Sequence, residues 1–317
     1  MFETYSINFL SVVLEALPFV FLGTLISSTI EAFMPQDWIA DKLGEGKWTH
    51  YIAAGLLGLL IPVCECAIVP IGRRLIRKGA PVGLAITFMM AAPIVNPIVL
   101  FSTYYAFSGN WSYVIGRGVL GFVGAMVIGG IMSIVSRRNE VLLASESSET
   151  TTCGCGESHV SHQISMPFTI VEVEPAFNQQ AIFWHKAKHA AEHLSAEFIE
   201  VSRFLIIGAM IAAAMQTFVP RAFMMELSGN SLLSIVLMMA LAFVLSLCSE
   251  ADAFIAATFR SALSQNAVMG FLIFGPMIDI KNTLMLLAGF KKPFVMRLIL
   301  VIFMVCLFLS SLFGAVI

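Results

Sequence analysis

Eight apolar stretches run along this chain, at about 7–33, 50–70, 80–107, 111–135, 197–219, 231–248, 267–290 and 293–317. Each is of a length that spans about 30 Å of hydrocarbon as a helix. A buried helix of a water-soluble domain is shorter and keeps a polar face. Inside a bilayer the backbone must satisfy its own hydrogen bonds, so helix is the form open to such stretches. Composition agrees: 58% of the 317 residues are hydrophobic and 12% are charged, against about 25% charged in soluble domains. The expected fold class is therefore all-α, a polytopic membrane protein with about eight transmembrane helices and the lipid bilayer as its partner. The N-terminal run follows Glu3 with no basic segment before it, which reads as a first span and not a cleaved signal peptide. A net charge of −2 offers nothing that points to nucleic acid, and none is expected. Six cysteines without a secreted framework do not suggest a disulfide scaffold.

Arginine and lysine set orientation. Arg73, Arg74, Arg77 and Lys78 follow the second stretch, and Arg137 and Arg138 follow the fourth. If all four stretches cross, both groups face the cytoplasm with the N-terminus inside. Lys291 and Lys292 then fall on the opposite side.

The chain also repeats itself. Glu15, Gly23, Phe33 and Pro35 return as Glu200, Gly208, Phe218 and Pro220, each 185 residues later. Cys64 returns as Cys248 after 184, and Pro93, Asn96 and Phe107 map onto Pro276, Asp279 and Phe290 after 183. Residues 1–136 and 196–317 therefore read as two membrane repeats, joined by a polar insert at 137–195. Repeats of this kind are common in transporters, with the site near the midplane where they meet. Four crossings per half give parallel repeats; a re-entrant hairpin at the second stretch gives inverted ones. The sequence leaves both open.

Chemistry gathers at matched places. The second stretch of each half ends in "VCECAIVP" or "LCSEADAF". The third is interrupted, at "AAPIVNP" in one half and "FGPMIDIKN" in the other. Proline removes an amide donor, and a broken helix survives in lipid only where protein or a water cavity satisfies it. Residues two apart on a helix point away from each other, so Cys64 and Cys66 can grip one ion only where the chain is unwound. Three thiols, Cys64, Cys66 and Cys248, are expected to converge with Glu65, Glu250 and Asp252 as the substrate-binding set. Thiolates are soft ligands that select zinc and copper(I), and they release protons on binding. Intramembrane acids default to functional roles. Glu15, Asn96, Glu200, Asp279 and Lys281 are accordingly expected along the pore or in proton coupling.

The insert carries Cys153, Cys155, His159 and His162, then His185, His189 and His193 spaced four apart. Such spacing lines one helix face. Five of the six histidines lie here, which points to a mobile metal-collecting segment with an amphipathic helix, placed by the topology above in the cytoplasm. No resident cofactor is required; a transported or bound Zn²⁺ or Cu⁺ is expected. The segment "GEGKW" lacks the Ser/Thr and spacing of a phosphate-binding loop, and "DIKNT" only superficially matches an aspartyl-phosphate loop. An ATP-driven pump, and enzyme activity in general, are not expected.

"CECAIVP", "APIVNP" and "CSEADAF" resemble the predicted-permease family that includes methylarsenite efflux permeases, over both membrane halves. With the Cys/His-rich insert they are most similar to its copper and zinc efflux branch. The resemblance implies a multi-pass exporter of thiophilic metals or metalloids in the inner (plasma) membrane. It supports Cys64, Glu65, Cys66, Cys248, Glu250 and Asp252 as site residues. The function expected is proton-coupled export of zinc or copper(I). Methylated arsenic(III) efflux is the near alternative, and a membrane metalloenzyme or a thiol or metal sensor belongs to other classes. A homo-oligomer is compatible with all of these.

Overall fold

The structure is a computed structural model that describes residues 2–33, 48–60, 65–136, 141–142, 179–218, 231–260 and 263–316. Cys64, Cys153, Cys155, His159 and His162 lie outside the described residues. The described chain is helical throughout, with a single isolated bridge between Leu142 and Phe290. This is the all-α polytopic architecture that the hydropathy requires.

In the first half, helix α1 covers Phe2–Phe33, α2 Trp48–Leu60, α3 Glu65–Arg77, α4 Val82–Val95, α5 Pro97–Ala106 and α6 Trp111–Val135. In the second, α7 covers Gln179–Phe218, α8 Ser231–Leu245, α9 Ser249–Thr258, α10 Gln265–Met277, α11 Ile280–Gly289 and α12 Lys292–Val316. His185, His189 and His193 fall on α7; their side chains are not among those described.

The third stretch of each half breaks where the prolines suggest. Pro93 lies three residues before Asn96, which caps α5 by accepting a hydrogen bond from the Ile98 amide at 3.0 Å. Pro276 precedes Asp279, which caps α11 by accepting from the Asn282 amide. Each pair remains one apolar span of 25 residues, Val82–Ala106 and Gln265–Gly289. Asn96 and Asp279 thus supply the capping oxygens that an interrupted helix needs in a medium without water.

The second stretch of each half does something the eight-crossing expectation did not contain. Helices α2 and α8 have 13 and 15 residues, roughly 20 Å at 1.5 Å per residue, which is short of the hydrocarbon core. Tyr51 meets Gly83 and Gly58 meets Ala92, so α2 runs parallel to α4. Gly72 meets Met89, and a tight turn at 78–81 leads α3 into α4, so α3 runs antiparallel. Helices α2 and α3 therefore enter and leave on one side. The second half repeats this: Ile235 and Met239 meet Gly270, and Ala242 meets Gly275, while Asp252 of the returning α9 also meets Gly275. The second hairpin turns at 246–248.

Among the described residues, five helical segments are long and apolar enough to cross a membrane, Glu3–Thr29, Val82–Ala106, Trp111–Val135, Gln265–Gly289 and Lys292–Gly314. Gly116 meets Phe313 while Gly124 meets Leu309, so α6 and α12 run antiparallel. Asn8 donates to Thr217 at 3.4 Å, and Phe21 meets Phe198 with ring centroids 5.9 Å apart, so α1 and α7 are antiparallel as well. The hairpins also remove the conflict over Lys291 and Lys292. Gly289 packs on the Arg73 side chain, and the Lys291 amide donates to the Val141 carbonyl at 2.9 Å. Arg73, Arg74, Arg77, Lys78, Lys291 and Lys292 therefore share one end of the molecule with Val141 and Leu142, while Arg260 lies at the other.

Close helix contacts hold the hairpins in place. Gly23 of α1 lies so near the Ala67 backbone of α3 that any Cβ would collide with it. Small residues that let backbones approach are the usual means of helix association in lipid, where hydrophobic driving force is absent.

Candidate functional site

The start of α3 and the segment leading into α9 meet at a cavity of about 140 Å³. Its wall takes Glu15 from α1, Glu65 and Cys66 from the first turn of α3, Ser246 and Cys248 from the second tip, and Lys281 from the first turn of α11. Both halves thus contribute, and both tips do so just where a short helix begins. The local reason is legible. Pro70, inside α3, has no amide hydrogen to give the Cys66 carbonyl one turn earlier, and Ser246 adopts a left-handed conformation, φ 51°. A non-glycine residue held there costs about 1–3 kcal/mol and persists only when its surroundings fix it. Here the Ser246 hydroxyl accepts from the Lys281 amide at 3.1 Å.

Each tip is anchored by one buried cation. Lys281 Nζ donates to Glu65 Oε1 at 3.1 Å and lies 3.8 Å from Asp279 Oδ2, all three being buried. The second Glu65 oxygen, Oε2, has no hydrogen-bond partner. At the other tip Arg117, fully buried in α6, donates from Nη2 to the Ser249 carbonyl and from Nη1 to Thr103 Oγ1, both at 2.8 Å. Ser102 Oγ donates to the Glu250 carbonyl at 2.8 Å. Arg117, Ser102, Thr103 and Ser246 were missed by sequence reasoning. A lone arginine inside the apolar run 111–135 was the available signal, since such a charge in lipid is costly unless it has work or partners.

The metal-capable groups cluster on one side of the cavity. Donor atoms of Glu15, Cys248 and Glu250 all lie within 4.8 Å of one another, and Cys248 Sγ donates to Glu250 Oε2 at 3.8 Å. Cys66 and Glu65 stand on the same cavity without joining that cluster. Of the residues expected to converge, Cys66, Cys248 and Glu65 line the cavity, and Glu250 stands beside Cys248 outside its lining. Glu15, expected as a proton carrier, sits among them. Asp252 does not line the cavity; it is buried one step further round α9, against Gly275, with Oδ2 unpartnered. Glu200 is elsewhere too, at 3.2 Å from Arg73 Nη1. Asn96 and Asp279 serve as helix caps, and Asp279 also neighbours Lys281.

An all-helical membrane protein with re-entrant hairpins, broken spans and a polar cavity at their meeting point belongs to the class of membrane transport proteins. More particularly, residues 3–315 match the family model described as a predicted permease, and the chain belongs to that family. It is 41% identical over 299 residues to the UPF0718 protein YcgR of Bacillus subtilis, covering 94% of this chain and 93% of that one. It is 34% identical over 303 residues to a Streptococcus mutans protein named "Putative two-component membrane permease complex subunit", covering 94% and 92%. A shorter likeness, 28% over 107 residues, links it to the UPF0718 protein YraQ of Escherichia coli, covering 34% of this chain and 30% of that one. No solved structure matches the chain. Membership of a permease family, with several apolar helices, fits a multi-pass protein of the plasma membrane and favours transport over catalysis.

Proposed function

We propose that this permease is a secondary exporter of a thiophilic metal ion, zinc or copper(I), driven by proton exchange. The observation that carries the reading is the shared cavity. Thiols from both halves, Cys66 and Cys248, line one space with Glu15 and Glu65, deep between the hairpin tips. A soft cation would exchange its water for thiolate and carboxylate there, and the displaced protons would leave through the neighbouring acids.

We read residues 1–136 and 196–317 as an inverted duplication. The support is the matched order of elements, the opposite run of α1 against α7 and α6 against α12, and the paired caps Asn96 and Asp279. The excess of arginine and lysine at the insert end puts that end in the cytoplasm, with the N-terminus outside. In this orientation Cys153, Cys155 and the insert histidines are on the side from which an exporter draws.

Methylated arsenic(III) remains a second reading for one reason. Two described thiols face the cavity, and two thiolates are what an arsenic atom already bearing a methyl group has room to accept. Flux into inside-out proteoliposomes containing a pH indicator decides between the two. Zinc or copper(I) uptake with alkalinisation of the lumen supports the metal reading. Arsenical uptake alone selects the second, and no flux of either removes both. Because a relative is named as one subunit of a two-component complex, the assay is run with and without a second membrane subunit.

A further inference from the structure

A second, smaller hollow lies toward the insert end, about 20 Å³ in volume. Its α7 wall is Glu200, Val201 and Phe204. Shifted by the 185-residue interval of the repeat, these are Glu15, Ala16 and Phe19, which form the α1 wall of the large cavity. The other wall of the small hollow comes from Val69, Pro70 and Arg73 of the first hairpin. In the large cavity the corresponding wall is the second hairpin, at Ser246 to Ala251. The two spaces thus share a glutamate-bearing wall on α1 or α7 set against a hairpin, while the large cavity also takes Glu65, Cys66 and Lys281 and the small one Met285, Ala288 and Gly289.

They differ also in size and in ion pairing. The large cavity holds about 140 Å³, and among the described residues Glu15 has no ion pair. The small hollow holds about 20 Å³, and Arg73 Nη1 holds Glu200 Oε1 at 3.2 Å across it. The Arg73 stem also lies against Gly289, at the end of the broken span α10–α11. One ion pair thus ties the first hairpin to α7 and sits against α11.

We propose that Arg73 and Glu200 form the gate on the insert side of the transport path, closed here by their ion pair. The inference rests on the permease reading and on the inverted duplication. In the alternate state the pair parts, the small hollow widens, and Glu200 meets an arriving cation as Glu15 does now. Glu200 then has two successive partners, the Arg73 guanidinium and the cargo. Cation binding and gate opening are coupled through that competition, because each favours the state in which the other partner is absent.

The test is sidedness of a thiol. A chain keeping Cys248 as its only cysteine is placed in right-side-out and inside-out vesicles and treated with a membrane-impermeant maleimide. The intact gate predicts labelling from the outer face only. Glu200→Gln, or Arg73→Gln, is expected to raise labelling from the cytoplasmic face severalfold. The double exchange Arg73→Glu with Glu200→Arg is expected to return it to the outer face, which a merely misfolded variant would not do. Unchanged sidedness in the single variants, or two-sided labelling that persists in the exchange, overturns the gate. Since the assay uses no metal, altered sidedness without zinc, copper or arsenical flux keeps the gate and removes the proposed cargo.

Discussion

Replacing Lys281 by methionine removes the one ammonium that faces two buried carboxylates. Its Nζ lies 3.1 Å from Glu65 and 3.8 Å from Asp279. At an effective dielectric of about 20, each contact carries on the order of 4–5 kcal/mol of attraction, most of it offset by the desolvation of the charges. Breaking a buried pair from one side leaves the offset without the attraction, a net loss of about 3–5 kcal/mol. The geometry makes this loss unequal. Lys281→Met strands Glu65, whose Oε2 already lacks a partner, and weakens the surroundings of Asp279. Glu65→Gln leaves Lys281 with Asp279 still beside it. The ammonium variant should therefore be much the more destabilised, and Lys281→Met combined with Glu65→Gln should recover part of the loss. The assay is thermal unfolding of detergent-purified protein, followed by intrinsic fluorescence, with all four members of the cycle compared. Equal melting temperatures for the two single variants, or a double variant as unstable as the sum of both, would refute the placement of Lys281 as the anchor of the first hairpin tip.

Other outcomes follow from the same geometry. Cys66→Ser and Cys248→Ser should each abolish metal tolerance while membrane expression stays normal; full protection of cells by both would dismiss the thiols. Arg117→Lys can reach Ser249 or Thr103 but not both with a fork of donors, so it should cost about 1–3 kcal/mol and lower the melting temperature, whereas a neutral result would show that the second tip is held otherwise. Gly23→Val must push α1 away from the Ala67 backbone, and a loss of about 1–3 kcal/mol is expected, read as reduced yield of folded protein in a detergent stability screen. Deleting 145–165 should reduce export without ending it; complete loss of flux from a correctly inserted deletion would make that segment part of the path.

Hydropathy alone determined that this chain is a helical membrane protein, because apolar runs of such length have no other stable solution in water or in lipid. Proline and a short polar residue marked the two broken spans, since Asn96 and Asp279 have the side-chain oxygens that cap a new helix where proline has interrupted the old one. The rarity of thiols and carboxylates in lipid picked out Cys66, Cys248, Glu65 and Glu250. What it did not fix was the path of the second stretch. Hydropathy measures how apolar a segment is, and an apolar run folded into a hairpin scores like one that crosses. Only side-by-side contacts, Tyr51 with Gly83 and Gly58 with Ala92, reveal the direction of α2. Arg117 and Ser246 were likewise decided by tertiary structure. Their partners, Ser249 and Lys281, are 132 and 35 residues away, and nothing local in the sequence records where a distant carbonyl or amide will come to rest.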